Sequence, residues 1–248
     1  MKPASDVSER WLRFLSRWSV AVALAVLGLV VVFLAGVGQA ASDTALGDKY
    51  AELLQAVRKP GAYRLAMLFD ALGWLTIGGT LVTFGGLLAR RAPIRATFIA
   101  ACGIGLLGGV LGGFMRLNGV ADLASRYSVA SADQQAVLLQ SFLDLNRVIG
   151  SFFHGGQLLQ GAGFLLVAWT ALSVAGFPRW FAYWIGLPGL TSLALFVIDF
   201  LFIGGDVPSF FFPVLLFHIV VGIIALHVTM ALGFWRPSPE LVSAFASE

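Results

Sequence analysis

Six stretches of this chain are apolar for twenty residues or more, and that pattern dictates the fold class. They cover residues 19–40, 63–89, 94–115, 148–175, 180–204 and 210–235. A helix needs about 20 apolar residues to cross the hydrocarbon core of a bilayer. Each run is continuously apolar rather than alternating, which fits helices and not barrel strands. Charged residues make up only 12% of the chain, against about 25% in a soluble domain. So few charges cannot clothe a water-facing surface. A soluble globular protein, a disordered chain and a nucleic-acid binder are all excluded. The single cysteine, Cys102, rules out an intrachain disulfide and a multi-cysteine metal site. The expected fold is all-α: one integral-membrane domain over residues 1–248, a polytopic bundle of about six transmembrane helices.

Lys2, Arg10, Arg13 and Arg17 precede the first run, and Gly38-Gln39-Ala40 resembles a signal cleavage site. The run is longer than the roughly 7–15 residues of a signal core, so a retained helix is expected. Orientation follows from the basic residues flanking short loops. With the N-terminus in the cytoplasm, Arg90, Arg91, Arg95, Arg179 and Arg236 join those four inside. The opposite side carries Asp43, Asp48, Glu52, Asp122, Asp133, Asp144 and Asp206, mixed with Lys49, Arg58, Lys59 and Arg126. Both termini are therefore expected inside.

Short extracytoplasmic helices are expected in the first and third loops. Residues 45–57 put Leu53, Leu54 and Val57 on one face, with Pro60-Gly61 as a stop. Ser131 is an N-cap with Gln134 at the capping-box position. From there the pattern runs into the fourth span, which either projects beyond the bilayer or bends at Gly155-Gly156. The tail after Pro237 is expected to be poorly ordered. No internal repeat is visible.

Gly105, Gly109 and Gly113 are spaced by four along the third run, as are Gly108 and Gly112. Such spacing lets helix backbones approach closely, which marks a central packing helix, or else a homodimer face. Gly78-Gly79 and Gly85-Gly86 repeat the pattern in the second run. Pro188 is expected to kink the fifth. Trp180, Tyr183, Trp184 and Trp235 read as an interfacial aromatic belt.

Ionisable groups inside spans cost about 2.5–3.5 kcal/mol each on insertion scales and are functional candidates by default. Asp70, Arg116, Arg147, His154, Gln157, Asp199 and His218 cluster toward the non-cytoplasmic half. At about 100° per residue, Arg147, Ser151, His154, Gln157 and Gly161 share one face. Asp70, Gly73, Ile77 and Thr80 share another, as do Ser192 and Asp199. The expectation is one wet chamber walled by five helices. Within it Asp70, Asp199 and His218 would meet protons or cations, and Arg116 and Arg147 an anion. Structural ion pairing is the alternative. No cofactor is expected. A bis-histidine haem through His154 and His218 stays geometrically open. His218 and His227 lie on opposite sides of their helix and cannot share a metal.

Two stretches resemble a known family. Residues 69–90 form a carboxylate-bearing span ending in a basic loop. Residues 154–189 form a glycine-rich span, then Gly176-Phe177-Pro178-Arg179-Trp180, then a second glycine-containing span. This is similar to the bacterial membrane proteins grouped as domain-of-unknown-function family 4386. The resemblance covers the second to fifth spans and implies a six- or seven-helix bacterial inner-membrane protein. It brings no activity and no catalytic residues.

The functional expectation is an outward polar pocket that binds or processes a small molecule or lipid headgroup. An accessory subunit of a membrane complex and a proton-coupled transporter are the alternatives. The expected partners are the lipid bilayer, that ligand, and a second copy or complex subunit.

Overall fold

A computed structural model describes residues 4–32, 49–201 and 210–246, all helical or in short turns, with no strand among them. In chain order the helices are α1 (Ala4–Val32), α2 (Ala51–Arg58), α3 (Pro60–Leu88) and α4 (Pro93–Tyr127). Then follow α5 (Ala132–Leu172), α6 (Arg179–Leu201), α7 (residues 211–235) and α8 (Pro239–Phe245). The second half of the expected first span, residues 33–40, lies outside the described residues.

Glycine sets how these helices meet. A methyl group on Gly103 would sit 2.6 Å from the Gly78 carbonyl oxygen, and one on Gly78 would sit 2.7 Å from the Gly103 oxygen. Gly85 lies against Ala96 and Ala100, and Gly113 against Ala71. These contacts run α3 and α4 antiparallel, backbone to backbone, so the glycine stripe is a packing face within the chain. Gly161 and Gly189 make the equivalent crossing between α5 and α6. Aromatic rings cover other glycines: Trp11 on Gly86, Trp18 on Gly79, and Trp74 on both Gly109 and Gly156. Helices that lack a hydrophobic drive to associate in lipid gain from such close contact.

Among the described residues five helices are long and apolar enough to cross a membrane: Asp6–Val32, α3, α4, α6 and Pro213–Trp235. The fourth expected span, within α5, is not among them. Its run is diluted by His154, Gln157, Gln160 and several glycines. Polar groups on a spanning helix can face the bundle interior rather than lipid. α5 packs on α3, α4 and α6, and it lies antiparallel to α6 from His154–Asp199 to Ala168–Gly186. The two therefore cover the same depth.

α5 runs unbroken through Gly155-Gly156. It is one helix of 41 residues, about 60 Å long at 1.5 Å per residue. That is twice the roughly 30 Å of a hydrocarbon core. At its start the Gln134 side chain accepts from the Ser131 N–H at 3.0 Å. The amino-terminal half of α5 helps build a second apolar core. Leu138, Phe142 and Ile149 pack there with Leu53 and Ala56 of α2, Tyr63 and Ala66 of α3, and Val120 and Leu123 of α4. The expected loop helices are thus α2, seen from Ala51, and the projecting start of α5.

At the other end of the bundle the expected disordered tail is helical. Ser238 Oγ accepts from the Leu241 N–H at 3.2 Å, and Pro239 opens α8. Ser-Pro is an N-cap and N1 pair with φ already set for a helix. Phe245 packs edge-on against Phe177, which stacks on Phe181, which meets Phe234. Replacing the buried Phe245 by alanine removes about 3 kcal/mol of packing. F245A is expected to release α8, seen as faster limited proteolysis after Pro237 with an unchanged melting transition of the bundle.

Trp180, Tyr183 and Trp235 are exposed, as a belt requires, but Trp184 packs against the core with its Nε1 buried. Pro188 is buried within a continuous α6. The Thr191 hydroxyl, one turn on, donates to the Leu187 and Pro188 carbonyls.

Candidate functional site

The sequence-selected polar residues separate into two groups and one outlier. The outlier is Arg147. It pairs with Asp144 one turn earlier at 3.1 Å and is 77% exposed. It shares a helical face with His154, but seven residues place it about 10 Å farther along the axis.

The first group sits where α2, α3 and α4 meet. Arg116 Nε forms an ion pair with Glu52 Oε1 at 3.4 Å without a hydrogen bond, and Glu52 Oε1 accepts from the Tyr63 hydroxyl at 2.6 Å. The Arg116 guanidinium covers the Phe153 ring at 4.5 Å. Asp70 interacts electrostatically with Arg116 and Glu52, while its Oδ2 is buried with no hydrogen-bond partner among the described residues. This is a compact ion-pair corner. Arg116 pairs with a carboxylate and lies over an aromatic face, while its Nε is buried without a hydrogen-bond partner among the described residues.

The second group lines the seam of α5, α6 and α7. His154 Nε2 is 3.9 Å from Asp199 Oδ2, and the Gln157 side chain favours the charged form of the same carboxylate. The Gln157 main-chain oxygen accepts from Ser192 Oγ at 2.9 Å, while its side-chain Oε1 is buried without a partner among the described residues. One turn deeper, Gln160 Nε2 lies 3.3 Å from His218 Nε2, and His218 Nδ1 lies 2.7 Å from Thr191 Oγ1. An amide nitrogen only donates, so His218 Nε2 accepts and Nδ1–H donates to Thr191. Thr191 passes its own proton to the Leu187 carbonyl. Every polar atom of the imidazole is therefore used. His218 is the floor of the seam, with Gln160 on its Nε2 and Thr191 on its Nδ1.

His227 is satisfied separately, with Nδ1 on the Ile223 carbonyl at 2.8 Å and Nε2 at 3.2 Å from Thr80 Oγ1. Among the described residues no group of three or more metal-ligating side chains gathers.

Two features escaped sequence reasoning. Glu52 and Tyr63 complete the Arg116 corner, and Thr191 completes the His218 relay. The helix also widens to a π-turn at Arg116–Val120 and again at His218–Ala225. Each widened turn begins on a candidate residue, and such turns are frequent at functional sites. A threonine three residues after a mid-helix proline was the available signal for Thr191. Nothing in the spacing announces a π-turn.

The chain is a multi-pass, all-α membrane protein with buried polar groups at its helix seams. The family model described as Domain of unknown function (DUF4386) matches residues 18–235, and the chain belongs to that family. No curated protein and no solved structure matches it. The family-like Gly176-Phe177-Pro178-Arg179-Trp180 segment is a structural turn. Gly176 takes φ +81°, which favours glycine. Phe177 fills the aromatic cluster, and the Pro178 carbonyl accepts from the Phe181 and Ala182 N–H groups.

Proposed function

We propose that the seam of α5, α6 and α7 binds a small molecule or lipid headgroup that carries hydrogen-bond donors. The observation that supports this is the pairing of the Asp199 carboxylate with the orphaned Gln157 Oε1, above a floor whose own hydrogen bonds are closed. A buried acceptor left without a donor costs about 1–3 kcal/mol. A ligand amine or hydroxyl placed between Asp199 and Gln157 recovers that cost, and His154 stands at the mouth to orient it. In this reading the protein works in a bacterial inner membrane with its basic end in the cytoplasm, and the seam opens on the far side.

The test is extraction of the purified full chain and mass spectrometry of co-purifying small molecules. Wild type is compared with D199N and Q157L, each checked for a monodisperse profile. A donor-bearing compound retained by wild type and lost from both variants is the expected result. Identical extracts from all three proteins would sink the reading.

The accessory-subunit reading is favoured by a different observation. The Glu52–Tyr63–Arg116 corner ties α2, α3 and α4 together through an ion pair and a hydrogen bond, as a structural brace would.

A further inference from the structure

At the basic end, α1 and α7 enclose a cleft of about 190 Å³ lined by Arg13, Ser16, Arg17, Trp235 and Arg236. Arg13 and Arg17 lie one turn apart on α1, and Arg236 directly follows the last residue of α7. Glu9 pairs with Arg13. Neither Arg17 nor Arg236 has an ion-pair or hydrogen-bond partner among the described residues. The Ser16 hydroxyl is committed to the Ala231 carbonyl at 2.6 Å, which ties the two helices together under the cleft. Arginines that serve only as topology signals can spread over the surface. Here three converge on one cavity with a single carboxylate among them.

The flanks are apolar and aromatic. Phe14 stacks on Trp18 and meets Trp11 edge-on, and Phe14 and Trp235 are exposed. A cationic recess beside an exposed aromatic surface suits an amphiphile with an anionic head. Arginine's planar fork matches phosphate oxygens. We propose that this cleft binds a phosphate group, supplied either by an anionic phospholipid headgroup or by a soluble phosphate. It is built almost wholly from residues flanking the family match, which ends at 235 and begins at 18. It is independent of the seam of α5, α6 and α7.

The experiment uses the detergent-purified full chain and reads its melting midpoint. The probes are phosphatidylglycerol, phosphatidylcholine and inorganic phosphate, each titrated alone. Phosphatidylglycerol is expected to raise the midpoint saturably, and phosphatidylcholine to leave it unchanged. The double variant R17Q/R236Q should need about thirtyfold more phosphatidylglycerol for half the effect, from two lost surface charge contacts. R10Q removes an arginine outside the cleft and should behave as wild type. If inorganic phosphate reproduces the shift in wild type and not in R17Q/R236Q, the site takes the soluble group; if it does not, the lipid is the source. An equal response to both lipids, or an unchanged response in R17Q/R236Q, overturns the proposal. Should that variant aggregate, the wild-type salt dependence decides. Raising salt from 0.1 to 1 M shortens screening from about 10 to about 3 Å and must abolish the phosphatidylglycerol shift; its persistence rejects the site.

Discussion

Gly103→Ala is expected to destabilise the bundle by about 1–2 kcal/mol, whereas Gly155→Ala is expected to be neutral or stabilising. The contrast isolates packing from helix propensity. Alanine is favoured over glycine in a helix by about 0.8–1.0 kcal/mol, so both changes start with the same gain. At Gly155 a new methyl group meets nothing within 4 Å. At Gly103 it meets the Gly78 oxygen at 2.6 Å, the Val82 nitrogen at 2.9 Å and Leu81 Cβ at 3.0 Å. Two of those three are backbone atoms, which cannot turn aside as a rotamer can. α3 and α4 must separate, and overpacking of that kind costs typically 1–3 kcal/mol, occasionally more. Melting midpoints of the two variants, measured in the same detergent and lipid, check it. If Gly103→Ala melts at or above wild type, α3 and α4 are not in backbone contact and the antiparallel register assigned here fails.

That contact also shows why some of the fold was legible from sequence and some was not. Small residues four apart in an apolar run have one physical use, so Gly105, Gly109 and Gly113 announce a packing face without naming the partner. Helical periodicity likewise places Asp70 with Gly73, Ile77 and Thr80, and the last three are buried. Periodicity fixes direction around an axis, however, and says nothing about where a neighbour stops. Arg147 points the same way as His154, yet it pairs with Asp144 and lies open. The partner of Arg116 is Glu52, on a short helix 64 positions earlier, and no local pattern links the two. The tail after Pro237 was misread because its helix is fixed by the distant Phe177, although Ser238-Pro239 already carried the cap.

Arg116→Gln is expected to cost about 2–3 kcal/mol, and adding Glu52→Gln is expected to restore part of that loss. Removing one partner of a buried pair costs about 3–5 kcal/mol because the other charge is left uncompensated. The side chains of Arg116 and Glu52 are 27% and 19% exposed, so solvent relieves some of that penalty. Without the guanidinium, Glu52 and Asp70 share one corner with no cation between them, since both act on Arg116. Neutralising Glu52 then removes an uncompensated charge and ends the repulsion. A glutamine at position 52 still accepts from Tyr63, so that hydrogen bond survives. The sign is the informative part: the double variant should melt above Arg116→Gln alone, although it carries one more substitution. Double-mutant-cycle analysis of the four melting curves gives the coupling. Rescue would mean that the corner is a brace, which leaves the Asp199–Gln157 seam as the place to seek a ligand. Additive losses would mean that Glu52 and Arg116 do not answer each other's charge. The corner, with its unpartnered Asp70 oxygen, would then return as a binding site in its own right.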